Sequence, residues 1–466
     1  MRLARWHRVI ATLIANWLPL VIRDPAASSR CVGRRSRWFA RSAALSLLLV
    51  LSIYAIADAH ATLLASEPAA GVTLSASPSR IRLLFSEPLE PTLATISIVD
   101  RTGKSTALTV SGDPHDVHAV VAPVQLNGTG EFRVVWHVIS ADGHPVGGSY
   151  LFAVGAPSAP PPVAATPPAA VTWGPALLGA PLVPAILRGL GVGFLMAAAG
   201  LLLFIVRFGA DTQSRPMKSA LIACVGAPLF LAAHLFAWLL NGSPTHQIDS
   251  AWLASMMAST VGRAELYRTL LSLLPLWALA LARRPKLAML FAFVALCASA
   301  AIGHSAAVHP AFAIPFKIVH LAGVALWLGG LVWLVARDGD DSSFLPQAMS
   351  VSSTALVAVL LVAISGIVQT LLLVPVRDLV SPYGAVVGGK ILGLGVLIAF
   401  GAHHRYRTLP RLESRSADAA LAAGFRMTLR REIAVMWLVI LLGGFLAYVS
   451  PPHGGTSTAV HPESIE

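Results

Sequence analysis

The sequence predicts an all-β, immunoglobulin-like sandwich followed by an all-α polytopic membrane domain of about eight transmembrane helices. Three observations carry this reading. Between Ala61 and Val154, short runs of alternating polarity are separated by Gly, Pro, Ser and Asp, with turn signals about every ten residues, as in a sandwich of about seven strands. From about Leu178 onward, long apolar runs follow one another, each near the roughly 20 residues that a bilayer requires. The composition agrees: hydrophobic residues make up 56% of the 466 and charged residues only 12%, with a mean hydropathy of +0.71.

The chain opens with a leader, residues 1–59. Gly33-Arg34-Arg35-Ser36-Arg37 with Arg41 is a basic start, 43–56 is an apolar run, and Ala57-Asp58-Ala59 is an A-x-A cleavage site, the tripartite pattern of a secretory signal. The additional basic and apolar stretch over 1–31 is atypical, which suggests translation from Val32. Cleavage after Ala59 leaves His60 as the first residue, where its imidazole and free α-amine can chelate one ion together.

In the sandwich, 60–155, the segments Arg80–Phe85, 94–99, 131–136 and 150–154 alternate as strands with one buried face. Trp136 belongs in the core. The stretch Ser140-Ala141-Asp142-Gly143-His144-Pro145-Val146-Gly147 puts a carboxylate and an imidazole two residues apart. In extended chain, positions i and i+2 point to the same side, so Asp142 and His144 converge on one ion such as Cu(II), Ni(II) or Zn(II). A surface turn with a capping Asp is the alternative. Two ligands make a weak site, and His60 is the expected third. The loop Asp113-Pro114-His115-Asp116-Val117-His118 could bind metal weakly, and reads better as solvated chain.

Several of these segments resemble the periplasmic copper-binding CopC family. They are His60-Ala61-Thr62-Leu63, Ser66-Glu67-Pro68-Ala69-Ala70-Gly71, Phe85-Ser86-Glu87-Pro88, Trp136 to Pro145 and Tyr150-Leu151-Phe152, in order along the whole domain. The resemblance implies a Cu(II) site made of His60 with its amine, Asp142 and His144. The family's better-known members also carry a methionine-rich Cu(I) site. No methionine lies between His60 and Gly155, so a single Cu(II) site is expected.

Residues 156–176, with Pro160-Pro161-Pro162 and Pro167-Pro168, read as a semi-stiff polyproline tether that lets the sandwich swing. The membrane domain, 177–450, offers spans near 180–207, 218–240, 264–282, 287–307, 314–336, 350–374, 386–404 and 433–449. The net charge of +12 sits mostly in loops after the odd-numbered spans. Arg207, Arg215 and Lys218 follow the first, Arg283, Arg284 and Lys286 the third, and Arg337 the fifth. Arg405, Arg407, Arg411, Arg415, Arg426, Arg430 and Arg431 follow the seventh. By the positive-inside rule these loops are cytoplasmic. The sandwich and the tail, 451–466, are then periplasmic and the chain crosses the inner membrane. The charge forms no basic face on a folded domain, so nucleic acid is not a partner. Cys31, Cys224 and Cys297 are scattered without a CxxC, which leaves neither a disulfide framework nor a thiolate metal site.

Polar residues inside spans are functional candidates. On this topology His234, His304 and His320 all lie in the outer half of the membrane. His320, Gly323, Trp327 and Gly330 share one helical face, where small residues admit a neighbouring helix. Arg188 and Lys390 are polar residues in or near the membrane whose plain explanation is snorkelling toward the outer surface, the preferred one for Lys390, and His403 and His404 read as residues near a loop or as exit ligands. The segment His320-Leu321-Ala322-Gly323-Val324-Ala325-Leu326-Trp327-Leu328-Gly329-Gly330 is similar to the CopD copper-resistance membrane family, as are Gly303-His304-Ser305 and Gly389-Lys390. That family's implied role is to move copper across the inner membrane, usually inward.

The expected function is therefore copper handling. The sandwich captures Cu(II), supplied by periplasmic copper chaperones, and passes it to a copper relay of His234, His304 and His320 embedded in the lipid bilayer. No enzymatic activity is expected, and no P-loop motif occurs, so ATP does not drive transport on this chain. The alternative is a membrane oxidoreductase that reduces captured copper with haem held between pairs of histidines. A copper sensor or buffer is a third reading, for which the membrane domain is oversized.

Overall fold

The computed structural model describes residues 63–126, 128–155, 182–303, 310–337, 343–373, 382–414 and 419–449. All of them fall in one of the two units into which the chain divides, 56–466. The leader, the 156–176 linker, the tail, His60 and His304 lie outside the described residues.

Among the described residues nine strands form the sandwich: β1 Leu63–Glu67, β2 Thr73–Leu74, β3 Arg80–Phe85, β4 Thr95–Val99, β5 Ser105–Leu108, β6 Ser111–Asp113, β7 Asp116–Pro123, β8 Gly130–Ile139 and β9 Pro145–Val154. They lie in two sheets, ordered β1-β3-β7-β6 and β2-β9-β8-β4-β5. Alternation decides which side chains go inside. Ile81, Leu83 and Phe85 of β3 meet Phe132, Val134, Trp136 and Val138 of β8 in one buried core. Phe85 meets Trp136 edge to face, with ring centroids 5.0 Å apart, the arrangement that ring quadrupoles favour. β8 and β9 pair without a break from Gly130↔Val154 to Ile139↔Pro145. Residues 140–144 are thus the closing loop of the longest hairpin.

The helices are α1 Leu182–Phe208, α2 Arg215–Gly242, α3 Ser250–Ala258, α4 Thr260–Leu271, α5 Leu273–Ala280, α6 Pro285–Ala300, α7 Pro310–Ala336, α8 Phe344–Leu373, α9 Pro382–His403, α10 Leu409–Ser414 and α11 Ala419–Leu446. A π turn, His404–Thr408, joins α9 to α10. Among the described residues, five helices are long and apolar enough to cross a membrane: α1, α2, α7, α8 and the stretch Tyr383–Ser414.

Three of the eight expected spans differ. The third is broken at Ser272 into α4 and α5. Pro275 supplies no N–H to continue the ladder, and α4 carries Arg263, Glu265 and Arg268. The fourth appears as the 16-residue α6, and the helix expected at 433–449 begins much earlier, at Ala419.

The bundle is centred on α1, which crosses α7 backbone to backbone. A Cβ built on Gly200 would stand 1.8 Å from the Ala325 carbonyl oxygen, and one on Gly329 would stand 2.1 Å from the Gly200 carbonyl carbon. The His320 face of α7 is interior, as its small residues predict. A Cβ at Gly323 would be 2.9 Å from Val362 of α8, and Trp327 is buried.

Candidate metal centre

The D-G-H segment is a tight loop, not the extended chain assumed from its spacing. The Ser140 N–H donates to the His144 carbonyl at 3.0 Å and the Gly143 N–H to the Ser140 carbonyl at 2.8 Å. Gly143 has φ +99°, a conformation in which Cβ is strongly disfavoured. The loop still brings the two side chains together. Asp142 Oδ1 lies 2.9 Å from His144 Nδ1. The same oxygen accepts from the Ser140 hydroxyl at 2.5 Å and from the His144 N–H at 3.2 Å, so the carboxylate is oriented before any ion arrives. Side-chain exposure is only 3% for Asp142 and 11% for His144.

Two donors bonded at right angles to one ion at about 2.0 Å stand about 2.8 Å apart. The Asp142–His144 separation fits an edge of a square-planar Cu(II) set. Among the described residues, no group of three His, Cys, Asp or Glu could hold an ion. The Asp113–His118 loop is committed elsewhere: Asp113 accepts Arg82 Nε at 2.7 Å, and Asp116 accepts the His118 N–H at 2.9 Å. The Arg82 guanidinium holds the Asp113 carboxyl below the usual carboxylate range.

The loop is also where the sandwich docks on the helices. Trp238 of α2 donates its indole N–H to the Gly143 carbonyl at 2.6 Å. A Cβ on Gly143 would stand 3.1 Å from Val261 and 3.3 Å from Trp238 Nε1. Beside it, the Glu90 carboxylate accepts the Thr260 and Val261 N–H groups at 3.2 Å each. A sandwich side chain thereby satisfies orphan donors at the start of α4, with its charge at the favourable end of the helix dipole. Leu93 and Ile139 close the seam against Trp238, Leu239, Trp252, Met256 and Val261. These contacts seat the sandwich against the bundle.

His137 of β8 adds a pH dependence. Burial and the neighbouring His246 push its pKa down to about 4 from the ordinary 6.5. The folded state therefore holds it neutral, while the unfolded chain takes up a proton as pH falls below 6.5. Its contribution is complete above about pH 6.5 and declines between there and about pH 4. We expect the acid loss of thermal stability to be shallower in His137→Gln than in the parent, as read by unfolding midpoints across that window.

Directly under the loop, the His144 ring meets the Tyr448 ring edge-on, with centroids 4.9 Å apart. The Tyr448 hydroxyl is 2.7 Å from His234 Nε2. His234 is fully buried, and its Nδ1 accepts from Arg268 at 3.1 Å. Arg268 and Arg188 both bind Glu265. Arg188 also donates to the Ile302 carbonyl at 3.3 Å, where Lys317 donates as well. Arg188 is therefore held inside the bundle by a carboxylate, not extended toward the membrane surface. His320 stands apart from this network, its Nδ1 3.0 Å from the Ser365 hydroxyl. Of the three membrane histidines named from the sequence, only His234 adjoins the D-G-H loop among the described residues.

Three functional candidates escaped the sequence reading: Tyr448, Glu265 and Glu432. The Glu265–Arg268 spacing of i, i+3 within an apolar run was the available signal. Glu432 lies just before the expected last span, and its oxygens face Trp327 and His404.

Comparison with known proteins matches the described architecture in chain order. The CopC domain model matches residues 63–155, and the model for copper resistance protein D matches 347–446. The chain is 24% identical over 462 residues to the copper transport protein CutJ of Bacillus subtilis, covering 93% of this chain and 81% of the relative. It is 31% identical over 109 residues to copper resistance protein C of Pseudomonas syringae pv. tomato, covering 22% of this chain and 86% of that protein. The crystal structure of CopC from Methylosinus trichosporium OB3b aligns at 32% identity, over 20% of this chain and 93% of that one, with a TM-score of 0.20. With the D-G-H loop on its sandwich and the matching helices behind it, the chain belongs to the CopC family, here fused to a CopD-type copper-resistance membrane domain.

Proposed function

We propose that the chain is a copper transporter of the inner membrane whose periplasmic sandwich captures Cu(II) at His60, Asp142 and His144. The helical domain then passes copper inward. The observation that carries this reading is the contiguous series of His144, Tyr448 and His234, which joins the D-G-H loop to the buried centre of the bundle. A binding module with no onward path has no use for a ligand ring seated against the helices. His304 and His320 are the further steps of the relay, and periplasmic chaperones are the source of the ion.

Tyr448 is the part that opens. Both nitrogens of His234 are engaged, by Tyr448 and by Arg268, so copper reaches that imidazole only when one of these bonds is released. The haem alternative gains no support from this arrangement, because His234 and His320 hold different partners. The test is uptake of radioactive copper by proteoliposomes containing the full chain. His144→Ala is expected to reduce uptake at least about tenfold; uptake equal to the parent would refute the capture step.

A further inference from the structure

We infer that His404 and Glu432 form a second copper-binding site, at the end of the bundle away from the sandwich. The inference rests on the transport reading for the identity of the ion, and adds to it the site from which copper leaves.

Glu432 lies on α11 and His404 opens the π turn after α9. Both are buried, 1% and 5% exposed, and His404 Nε2 stands 3.2 Å from Glu432 Oε2. Apart from that ion-pair approach to each other, the carboxylate oxygen and both ring nitrogens of His404 make no hydrogen bond among the described residues. Buried imidazoles and carboxylates without such partners are rare because the desolvation cost is not offset. Two donors on one ion at bonds near 2.0 Å stand about 2.8 to 3.3 Å apart, from square to tetrahedral geometry. The observed separation lies in that interval. Imidazole and carboxylate together suit a copper-type divalent ion better than a hard cation.

The pair is also held as a ligand pair needs to be. The other Glu432 oxygen accepts the Trp327 indole N–H at 2.9 Å, which fixes the carboxylate and leaves Oε2 facing His404. His404 packs edge-on against Phe425, with centroids 5.1 Å apart. The π turn that begins at His404 is a kind of local irregularity frequent at functional sites.

Its place in the fold fits an exit. Trp327 and His320 are seven residues apart on the same face of α7, so the pair stands farther along the face that carries His320. Glu432 precedes the end of α11, near Tyr448, by about 20 Å of helix. The arginines 405, 407, 411, 426, 430 and 431 surround the pair in sequence, which by the positive-inside rule puts it at the cytoplasmic end. The buried thioether of Met436 lies one turn from Glu432 on the same side of α11, a soft donor on the approach.

The test uses the full chain in lipid nanodiscs, equilibrated with buffered Cu(II), with bound copper counted per chain. Glu432→Gln keeps an oxygen to accept the Trp327 N–H but removes the charge, and His404→Gln removes the imidazole on a different element. Unfolding midpoints check that each variant is folded. Each substitution is expected to lower retained copper by about one ion per chain. Asp142→Asn with His144→Ala removes the sandwich ion independently, so the combined variant loses about two. If both single variants hold as much copper as the parent, the inference is overturned, whatever uptake does. If they lose an ion while His144→Ala leaves uptake intact, the second site stands and the transport reading fails.

Discussion

Replacing His144 with alanine is expected to weaken Cu(II) binding to the sandwich of the full chain by more than about 100-fold, since losing even an outer partner of a ligand costs 10- to 100-fold. The reason is geometric as well as chemical. His144 Nδ1 and Asp142 Oδ1 already stand at the separation of two cis ligands, and the Ser140 hydroxyl holds the carboxylate there. Little ordering cost remains when the ion arrives, and the binding energy rests on the donors themselves. Asp142→Asn should be milder in structure but still costly. An amide oxygen can accept the same two hydrogen bonds, while the anionic donor is gone. Competition against a Cu(II) chelator measures both. An affinity for His144→Ala within a few-fold of the parent would mean that the ion is held elsewhere on the sandwich.

The second large effect lies far from the metal. Gly200→Leu should destabilise the helical domain by about 3 kcal/mol or more, the upper end for overpacking, or prevent folding altogether. The added Cβ alone would sit 1.8 Å from the Ala325 carbonyl oxygen. That obstacle is backbone of the facing helix, which cannot rotate away as a side chain could. The crossing of α1 on α7 would have to open, and with it the packing that sets the His320 and Trp327 face. Gly395→Ala is the control, because a Cβ there meets nothing within 4 Å and alanine favours helix. Thermal unfolding in detergent separates them: the first should fall by many degrees and the second should hold or rise slightly. An unchanged midpoint for Gly200→Leu would show that the crossing is not close-packed.

Much of this was legible in the sequence wherever the informative signal was local. Alternation over Arg80–Phe85 and around Trp136 identified strands, because one face of each had to be buried. The spacing of Asp142 and His144 predicted that the two side chains converge, and they do so at 2.9 Å even though the chain there turns instead of extending. The turn depends on Gly143 at positive φ, and a D-G-H step is compatible with either form. The small residues near His320 told which face of α7 is interior.

What escaped were pairings between distant positions. Arg188 and Glu265 are 77 positions apart, Trp327 and Glu432 are 105 apart, and no periodicity within either helix announces its partner. Arg188 in isolation therefore left snorkelling and a role inside the bundle equally open. The break at Ser272 was hidden because Leu270 and Leu271 before it and Leu273 and Leu274 after it read as one continuous apolar run. The docking of the sandwich was hidden for a different reason. Glu90, Leu93 and Ile139 look like ordinary loop and strand residues until α4 supplies the N–H groups and Trp238 the ring that they cover.

The measurement that bears most directly on the coupling of capture to transport is a comparison of copper bound and copper taken up by Tyr448→Phe. Phenylalanine keeps the ring that His144 packs against and removes only the hydroxyl that bonds His234. Cu(II) affinity should stay within about twofold of the parent, because no donor is lost. Uptake into proteoliposomes should rise, because the hydroxyl that occupies His234 Nε2 is gone. A higher uptake rate at constant affinity would place Tyr448 between capture and passage. Equal uptake and equal affinity would contradict the route through His144, Tyr448 and His234.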